Sequence, residues 1–489
     1  MVELRPMERY EREALCERVI EAALDAGARY VEARLVRRTR ETLAYRSGDL
    51  ELSNVYRDVG IGIRALYENG WGYSGTNVLT GPALDRAARA AVESARATAI
   101  TAKREVLVPV ATSGTYATPM ERDPFEVPLA EKTALFAQAH ARMDDVAGVS
   151  TTRGGFSGHR QESTFVASNG SRQDQKVTLC GGLVSAIAQA NGDVQLRSSR
   201  KSFEGNTLQG GYETLVAQDL IGDAGRVARE AVALTSADPT PEGETSIILD
   251  GSQLSLQIHE SVGHPIELDR VFGEEISLAG ASFALPDKLD GFDYGSSLVN
   301  LTADATTPLG PGTFGFDDEG TPATSTPIVK NGKFCGYLSG RDEAARLGRE
   351  SSSSLRAESW SRLPIVRMVN VNLEPGSGSK EDLIGGVEDG LLLDVNKSWS
   401  IDDLRLNFQF SCEIAYEIKN GQRTGRIFKN PIYYGVTPRF WGNCSAIAGP
   451  EAWEMWGWFY CGKGDPGQII FVGHGCAPTR FDNIRVGST

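Results

Sequence analysis

Leu15, Val19, Ile20 and Ala23 recur on one face of a 3.6-residue period, which predicts an amphipathic helix over residues 8–26, ending where Gly27 follows. The pattern then changes to short β-like runs. Residues 30–35, 41–45, 50–56, 60–67 and 72–73 read as strands separated by turn residues, and Asn69-Gly70 is a hairpin signal. The alanine-rich segment 82–98 predicts a second helix. Prolines at 109, 119, 124 and 128 mark an irregular connection before a helix over 129–146. Asn169-Gly170 and Asn191-Gly192 signal two more hairpins, and a further helix is expected at 212–234.

Residues 236–243, Ser-Ala-Asp-Pro-Thr-Pro-Glu-Gly, are short, polar and rich in proline, the best linker in the chain. Beyond them, 245–249 reads as a buried strand feeding a helix at 251–264. The remainder is dominated by short strands and glycine turns, with hairpin signals at Asn331-Gly332 and Asn420-Gly421. The expected fold class is α+β: an N-terminal α/β domain with an antiparallel sheet and helices, residues 1–237, and a mostly-β C-terminal domain, residues 238–489. A chain of 489 residues is too long for one ordinary core, which agrees with two domains. No internal repeat is evident, and the serine run 351–354 reads as a mobile loop.

The balance of 50 basic and 64 acidic residues leaves a net charge of −14, so no cation excess remains to neutralise nucleic-acid phosphates. No apolar signal-like segment opens the chain, and nowhere do about 18 apolar residues run together. The expectation is a cytoplasmic protein without nucleic-acid or membrane partners. Seven cysteines, odd in number and scattered from Cys16 to Cys476, do not resemble a disulfide framework.

Two of the five histidines stand five residues apart in Ile258-His259-Glu260-Ser261-Val262-Gly263-His264-Pro265, with a carboxylate beside the first. Imidazole and carboxylate so spaced point to zinc hydrolysis. In the better-known His-Glu-x-x-His box the separation is four, which keeps both imidazoles on one helical face. At five, a regular helix turns the second imidazole roughly 140° away. The helix must therefore stop or deform. Pro265 has no N–H for the carbonyl of Ser261 and disfavours the α conformation at His264, Gly263 adds backbone freedom, and a π-type bulge would realign positions five apart. The bland alternative is a helix with one surface and one core histidine.

These residues resemble the His-Glu-x-x-x-His box of the TldD/PmbA family of metalloproteases, in particular its metal-bearing TldD-type member. Other stretches agree in order along the chain: Val59-Gly60-Ile61-Gly62-Ile63-Arg64, Phe316-Asp317-Asp318-Glu319-Gly320-Thr321-Pro322, Arg367-Met368-Val369-Asn370-Val371-Asn372, and Cys461-Gly462-Lys463-Gly464-Asp465-Pro466. The resemblance implies a Zn2+ site of two histidines and one cysteine, carried over onto His259, His264 and Cys461, with a fourth position open for water. Glu260 then serves as general base and afterwards general acid in the hydrolysis of small or unfolded peptides. It also implies a dimer, either a homodimer or a heterodimer with a PmbA-type subunit, enclosing the active site. After Pro265 this chain reads Ile266-Glu267-Leu268-Asp269, where Glu-Gly-Asp is the commoner pattern.

Spacing alone does not select Cys461 over His474 or Cys476. Two other functions use the same features: a non-catalytic peptide-binding partner subunit, and a metal-dependent hydrolase acting on an amide in a biosynthetic pathway. Asp269 and Arg270 are candidates for orienting a ligand or forming a plain ion pair. Asp317-Asp318-Glu319 reads as a solvated acidic turn rather than a second metal site. Trp453, Trp456, Trp458, Phe459 and Tyr460 are core or a pocket wall. The glycine-rich 310–315 is a plain loop, because no helix follows it.

Overall fold

The computed structural model describes residues 7–102, 105–190, 192–201, 205–278 and 280–488. Tyr30–Arg46 and Asp49–Tyr67 are unbroken strands of 17 and 19 residues, where four short runs were expected. They pair from Tyr30 opposite Leu66 to Arg46 opposite Asp49, so the polar middle that hid the pattern is still ladder. Ser47 and Gly48, with φ of 47° and 85°, supply the two left-handed positions of the tight turn between them. The Asn69-Gly70 hairpin forms one residue early: Tyr67 pairs with Gly70, and Glu68-Asn69 make the turn. Gly70 is needed for proximity instead, since a Cβ there would lie 2.2 Å from the Ala99 nitrogen of the covering helix.

These strands belong to an eight-stranded sheet ordered Gly70–Thr76, Asp49–Tyr67, Tyr30–Arg46, Val149–Ala167, Arg172–Ala190 and Ser113–Ala117, with Asp193–Ser198 and Asn206–Gln209 also pairing with Arg172–Ala190. Helices Arg9–Asp25 and Gly81–Ala99 bury Val19, Leu84 and Ala91 against one part of it, and helices Leu129–Asp144 and Leu220–Leu234 bury Phe136 and Val227 against another. The helix expected at 212–234 is two helices, Glu213–Val216 and Leu220–Leu234. Asp219, at φ 47°, interrupts them and caps the second by accepting from Gly222 N. Of the Asn191-Gly192 turn, Asn191 lies outside the described residues, and Gly192 has φ 80°.

The rest of the chain is mostly strand. Asp389–Ile401, Gly243–Leu249, Thr479–Ser488, Pro431–Val436 and Asn407–Lys419 pair in that order, and the first also pairs with the last, so five strands close on themselves. The mixed α+β class therefore holds, with a helix-covered sheet, antiparallel except where Ser113–Ala117 runs parallel to Arg172–Ala190, followed by a strand-rich half. Gly243–Leu249 runs straight into helix Gly251–Ile258, whose eight residues are all buried. Asp250 caps it by accepting from Gly251 N at 2.9 Å. A helix buried all round must satisfy its polar side chains internally: Gln253 donates to Tyr433 OH, Tyr433 OH to Gln257, and Gln257 to Ser261 Oγ.

Two expectations fail for the same reason, that polar sequence need not be exposed. The serine run is packed: Ser353 and Ser354 are fully buried, Ser352 accepts from Ser339 N at 2.7 Å, and Ser353 donates to Pro322 O. The acidic turn is buried as well. Asp318 meets Arg34 at 2.6 Å and Glu319 meets Arg341 and Arg64, while Glu32 of the first sheet accepts from Arg341 at 2.6 Å. This network ties the first sheet to the second half of the chain. Asn331-Gly332 and Asn420-Gly421 are tight turns as expected, with positive φ at all four residues. No helix among the described residues is long and apolar enough to cross a membrane.

Candidate metal centre

The buried helix changes its winding where the histidines begin. His259–Gly263 is π-helical, and His264 N donates to His259 O at 3.2 Å, the five-residue hydrogen bond that brings positions five apart onto one side. The two imidazole rings lie 4.9 Å apart at 89°. Pro265 leaves the Ser261 carbonyl without its helical donor, and Tyr294 OH takes that role at 2.5 Å. Gly263 keeps a negative φ, so its value is space: a Cβ would stand 2.2 Å from Met368 Sδ.

Cys461 arrives from strand Glu454–Lys463, paired with Gln468–Cys476. Trp458 opposes Val472 and Cys461 opposes Ile470, so Phe459 and Tyr460 together face Phe471. Residues three apart on a regular strand point to opposite faces; this bulge puts Trp458 and Cys461 on the same side. Trp458 lies against the His259 ring at 5.6 Å, and one donor atom from each of His259, His264 and Cys461 falls within 4.8 Å of the others.

Hydrogen bonds fix which ring nitrogens are free. Val371 O only accepts, so His474 Nδ1, 2.9 Å away, carries its proton and His474 Nε2 accepts from His259 Nδ1 at 2.9 Å. His259 therefore presents the lone pair of Nε2. His264 Nδ1 donates to Glu267 at 3.0 Å and likewise keeps Nε2 for a ligand. Both nitrogens of His474 are spent, which places it behind His259 rather than beside the donor atoms. Burial lowers His259 to about 4, which keeps it neutral and able to ligate.

Burial also pushes thiols up, and it does so for the other six cysteines. At Cys461 the Arg367 guanidinium and His264 outweigh burial, and the thiol lies below its ordinary value. Cys476 is elsewhere, donating to Gly251 O. The donor set is two imidazoles, each with Nε2 free, and a thiol biased towards thiolate, which fits zinc with one position left open.

Glu260 points at Arg405, whose Nη1 is 3.0 Å from its carboxylate. Burial raises the Glu260 carboxyl, but His264, His259 and Arg405 more than offset this and hold it below its usual value. It is ionised at neutral pH, as a proton acceptor must be. The site is almost closed within one chain: His259, Glu260 and His264 are 5–6% exposed and Cys461 is 1% exposed.

The sequence pattern missed Glu267, Tyr294 and Arg405. Glu267 alone left a signal, a carboxylate three residues beyond His264. Its neighbours take the orienting role one step further out: Arg270 reaches Glu267 at 3.3 Å, and Lys463, two residues after Cys461, pairs with Asp269 at 2.6 Å and lies 3.5 Å from Glu267. The aromatic run divides. Trp456 and Trp458 are buried, whereas Phe459 and Tyr460 line a 920 Å³ cavity against the first sheet.

Against known proteins, profiles of the PmbA/TldA metallopeptidase match in three parts: domain 1 over residues 31–95, the central domain over 122–237 and the C-terminal domain over 242–488. A metalloprotease of Methanocaldococcus jannaschii is 28% identical over 465 residues, 94% of this chain and 98% of its own. A zinc metalloprotease TldD homolog of Saccharolobus solfataricus is 25% identical over 250 residues, 51% of this chain and 53% of its own. The crystal structure of TldE from Thermococcus kodakarensis shares the fold at a TM-score of 0.72 and 16% identity, covering 96% of this chain and 99% of that one. With matches to all three parts covering most of its length, the chain belongs to the PmbA/TldD family of metallopeptidases.

Proposed function

We propose that this chain is a zinc-dependent peptidase in which His259, His264 and Cys461 hold the ion and Glu260 is the general base. The observation that carries this reading is the convergence of three donor atoms within 4.8 Å beside an ionised carboxylate. Bound zinc would supply Lewis acidity, polarising a scissile carbonyl and making its water easier to deprotonate. Glu260 accepts the proton of the attacking water on a carboxylate oxygen and returns it to the departing amine. Arg405 stabilises the ionised form before the first transfer and after the second. His474 and Glu267 hold the two imidazoles in the tautomers that leave Nε2 free.

The substrates are small or unfolded peptides, because side chains so little exposed are out of reach of a folded protein's surface. We infer a dimer with a second copy or a PmbA-type subunit, to which the likeness to TldE lends support. The test measures zinc in the purified protein and cleavage of an unfolded peptide by wild type and Glu260→Gln. The expected outcome is about one zinc per chain in both, with cleavage only in wild type. A wild type that holds zinc and cleaves nothing, or a Glu260→Gln variant as active as wild type, overturns the mechanism.

A further inference from the structure

A second cavity, of 480 Å³, lies between the first sheet and the strand pair that carries Cys461. Ile470, directly across the ladder from Cys461, forms part of its wall, so the cavity begins about one strand spacing, roughly 4.8 Å, from a candidate ligand. Its acids are accounted for. Asp318 is paired with Arg34, Asp317 accepts from Glu319 N and Thr321 N, and Glu358 accepts from Ile469 N. Two of its bases, Arg38 and Arg160, are paired with Asp58 and Asp123.

Arg40 and Arg356 are different. Arg40 donates to His159 Nδ1 at 3.1 Å and lies 4.5 Å over the Phe459 ring, while Arg356 donates Nη1 to two backbone carbonyls, Met368 O and Phe471 O. Neither forms an ion pair with a carboxylate among the described residues. Burial lowers both, Arg356 to about 10, whereas every other arginine with a resolved shift moves up. A half-buried guanidinium without a counter-ion is costly, and a planar carboxylate is the group its fork of donors fits best.

We infer that this cavity is a carboxylate-binding subsite for the peptide, with Arg40 and Arg356 as its anchors and Phe314, Phe316 and Phe471 as apolar walls. The carboxylate belongs either to the C-terminus of the peptide or to an Asp or Glu side chain. The inference rests on the peptidase reading, since the subsite shares its wall with the strand pair of Cys461.

Binding of four N-acetylated alanine-rich pentapeptides to the Glu260→Gln protein, measured by calorimetry, tests it: a free acid or an amide terminus, each with an internal Glu or Gln. Carboxylate-bearing peptides are expected to bind about tenfold more tightly than the neutral one, the size of one lost charge-assisted hydrogen bond. Preference for the free acid assigns the terminus, and preference for Glu assigns the side chain. Arg356→Gln and Arg40→Gln should each erase the preference. If Arg356→Gln does not fold, Arg40→Gln decides, since its side chain gives up one described hydrogen bond, to His159. Equal binding of all four peptides, or a preference that survives Arg40→Gln, overturns the inference. Cleavage of the same peptides by wild type separates the two proposals: cleavage without carboxylate preference sinks the subsite alone, and preference without cleavage sinks the peptidase alone.

Discussion

Two of the buried ionisable clusters in this molecule are built on opposite plans. In the network around Asp317-Asp318-Glu319, Asp318 and Glu319 meet the guanidinium groups of Arg34, Arg64 and Arg341 while Asp317 accepts from the backbone N–H groups of Glu319 and Thr321, so the lone pairs that a cation would need are occupied. Around His259 the partners stand behind the donors. His474 and Glu267 take the far nitrogens of the imidazoles, and Nε2 of each is left facing Cys461. By letters the acidic turn offers carboxylates to a cation much as the histidine box offers imidazoles, although the turn was expected to be solvated. What separates a site from a clamp is where the remaining lone pairs point.

The largest effects should fall on the converging cluster. Cys461→Ala is expected to lose zinc and all measurable peptide cleavage while remaining folded, and Cys476→Ala to keep both; metal analysis with circular dichroism checks the pair. Zinc retained in Cys461→Ala would remove the basis for the contrast. The clamp should fail differently. Glu32→Gln leaves Arg341 and Arg64 short of a buried charge and is expected to cost about 3 kcal/mol of stability in urea unfolding, with zinc content unchanged.

Legibility in the sequence followed whether a residue's role is local. Turns with two left-handed positions were readable at Asn331-Gly332 and Asn420-Gly421, the helix at Arg9–Asp25 followed its apolar spacing, Gly81–Ala99 its alanine content, and Leu129–Asp144 began where the proline-rich connection ended. The deformation between His259 and His264 was readable because five-residue spacing and Pro265 both demand it. Cys461 came from family resemblance, since the bulge at Phe459-Tyr460 that aims it is set by a partner strand. Tyr294 and Arg405 carried no local signal: each acts on the helix from a distant segment. The serine run misled because its hydroxyls find partners in Ser339 and Pro322, which composition cannot show.

A smaller effect probes the layer behind the donors. Glu267→Gln keeps the shape but removes the charge that holds His264, and zinc affinity in competition with a chelator should fall about tenfold to a hundredfold. The same substitution leaves the acidic clamp untouched but deprives the fully buried Arg270 and Lys463 of a counter-charge, so unfolding of the zinc-free protein should shift by an amount similar to that in Glu32→Gln.

The smallest effect sharpens the clamp itself through pH. Burial, with Glu319 nearby, raises Glu343 from 4.5 to about 7, so the folded chain holds a proton there that the unfolded chain has released between those values. The native state binds more protons than the unfolded state in that window, and the contribution of Glu343 to stability is full below about 4.5 and lost as pH rises through about 7. Glu343→Gln keeps an oxygen for the Gly340 N–H that the side chain now accepts but cannot titrate. Unfolding free energies measured from pH 4.5 to 7.5 should therefore fall less steeply in Glu343→Gln than in wild type, in zinc-free protein so that ligand titration at His259 and Cys461 is common to both. Parallel slopes would mean that Glu343 is solvated enough to ionise normally, and that the clamp carries its charges without help from a neutral acid at its edge.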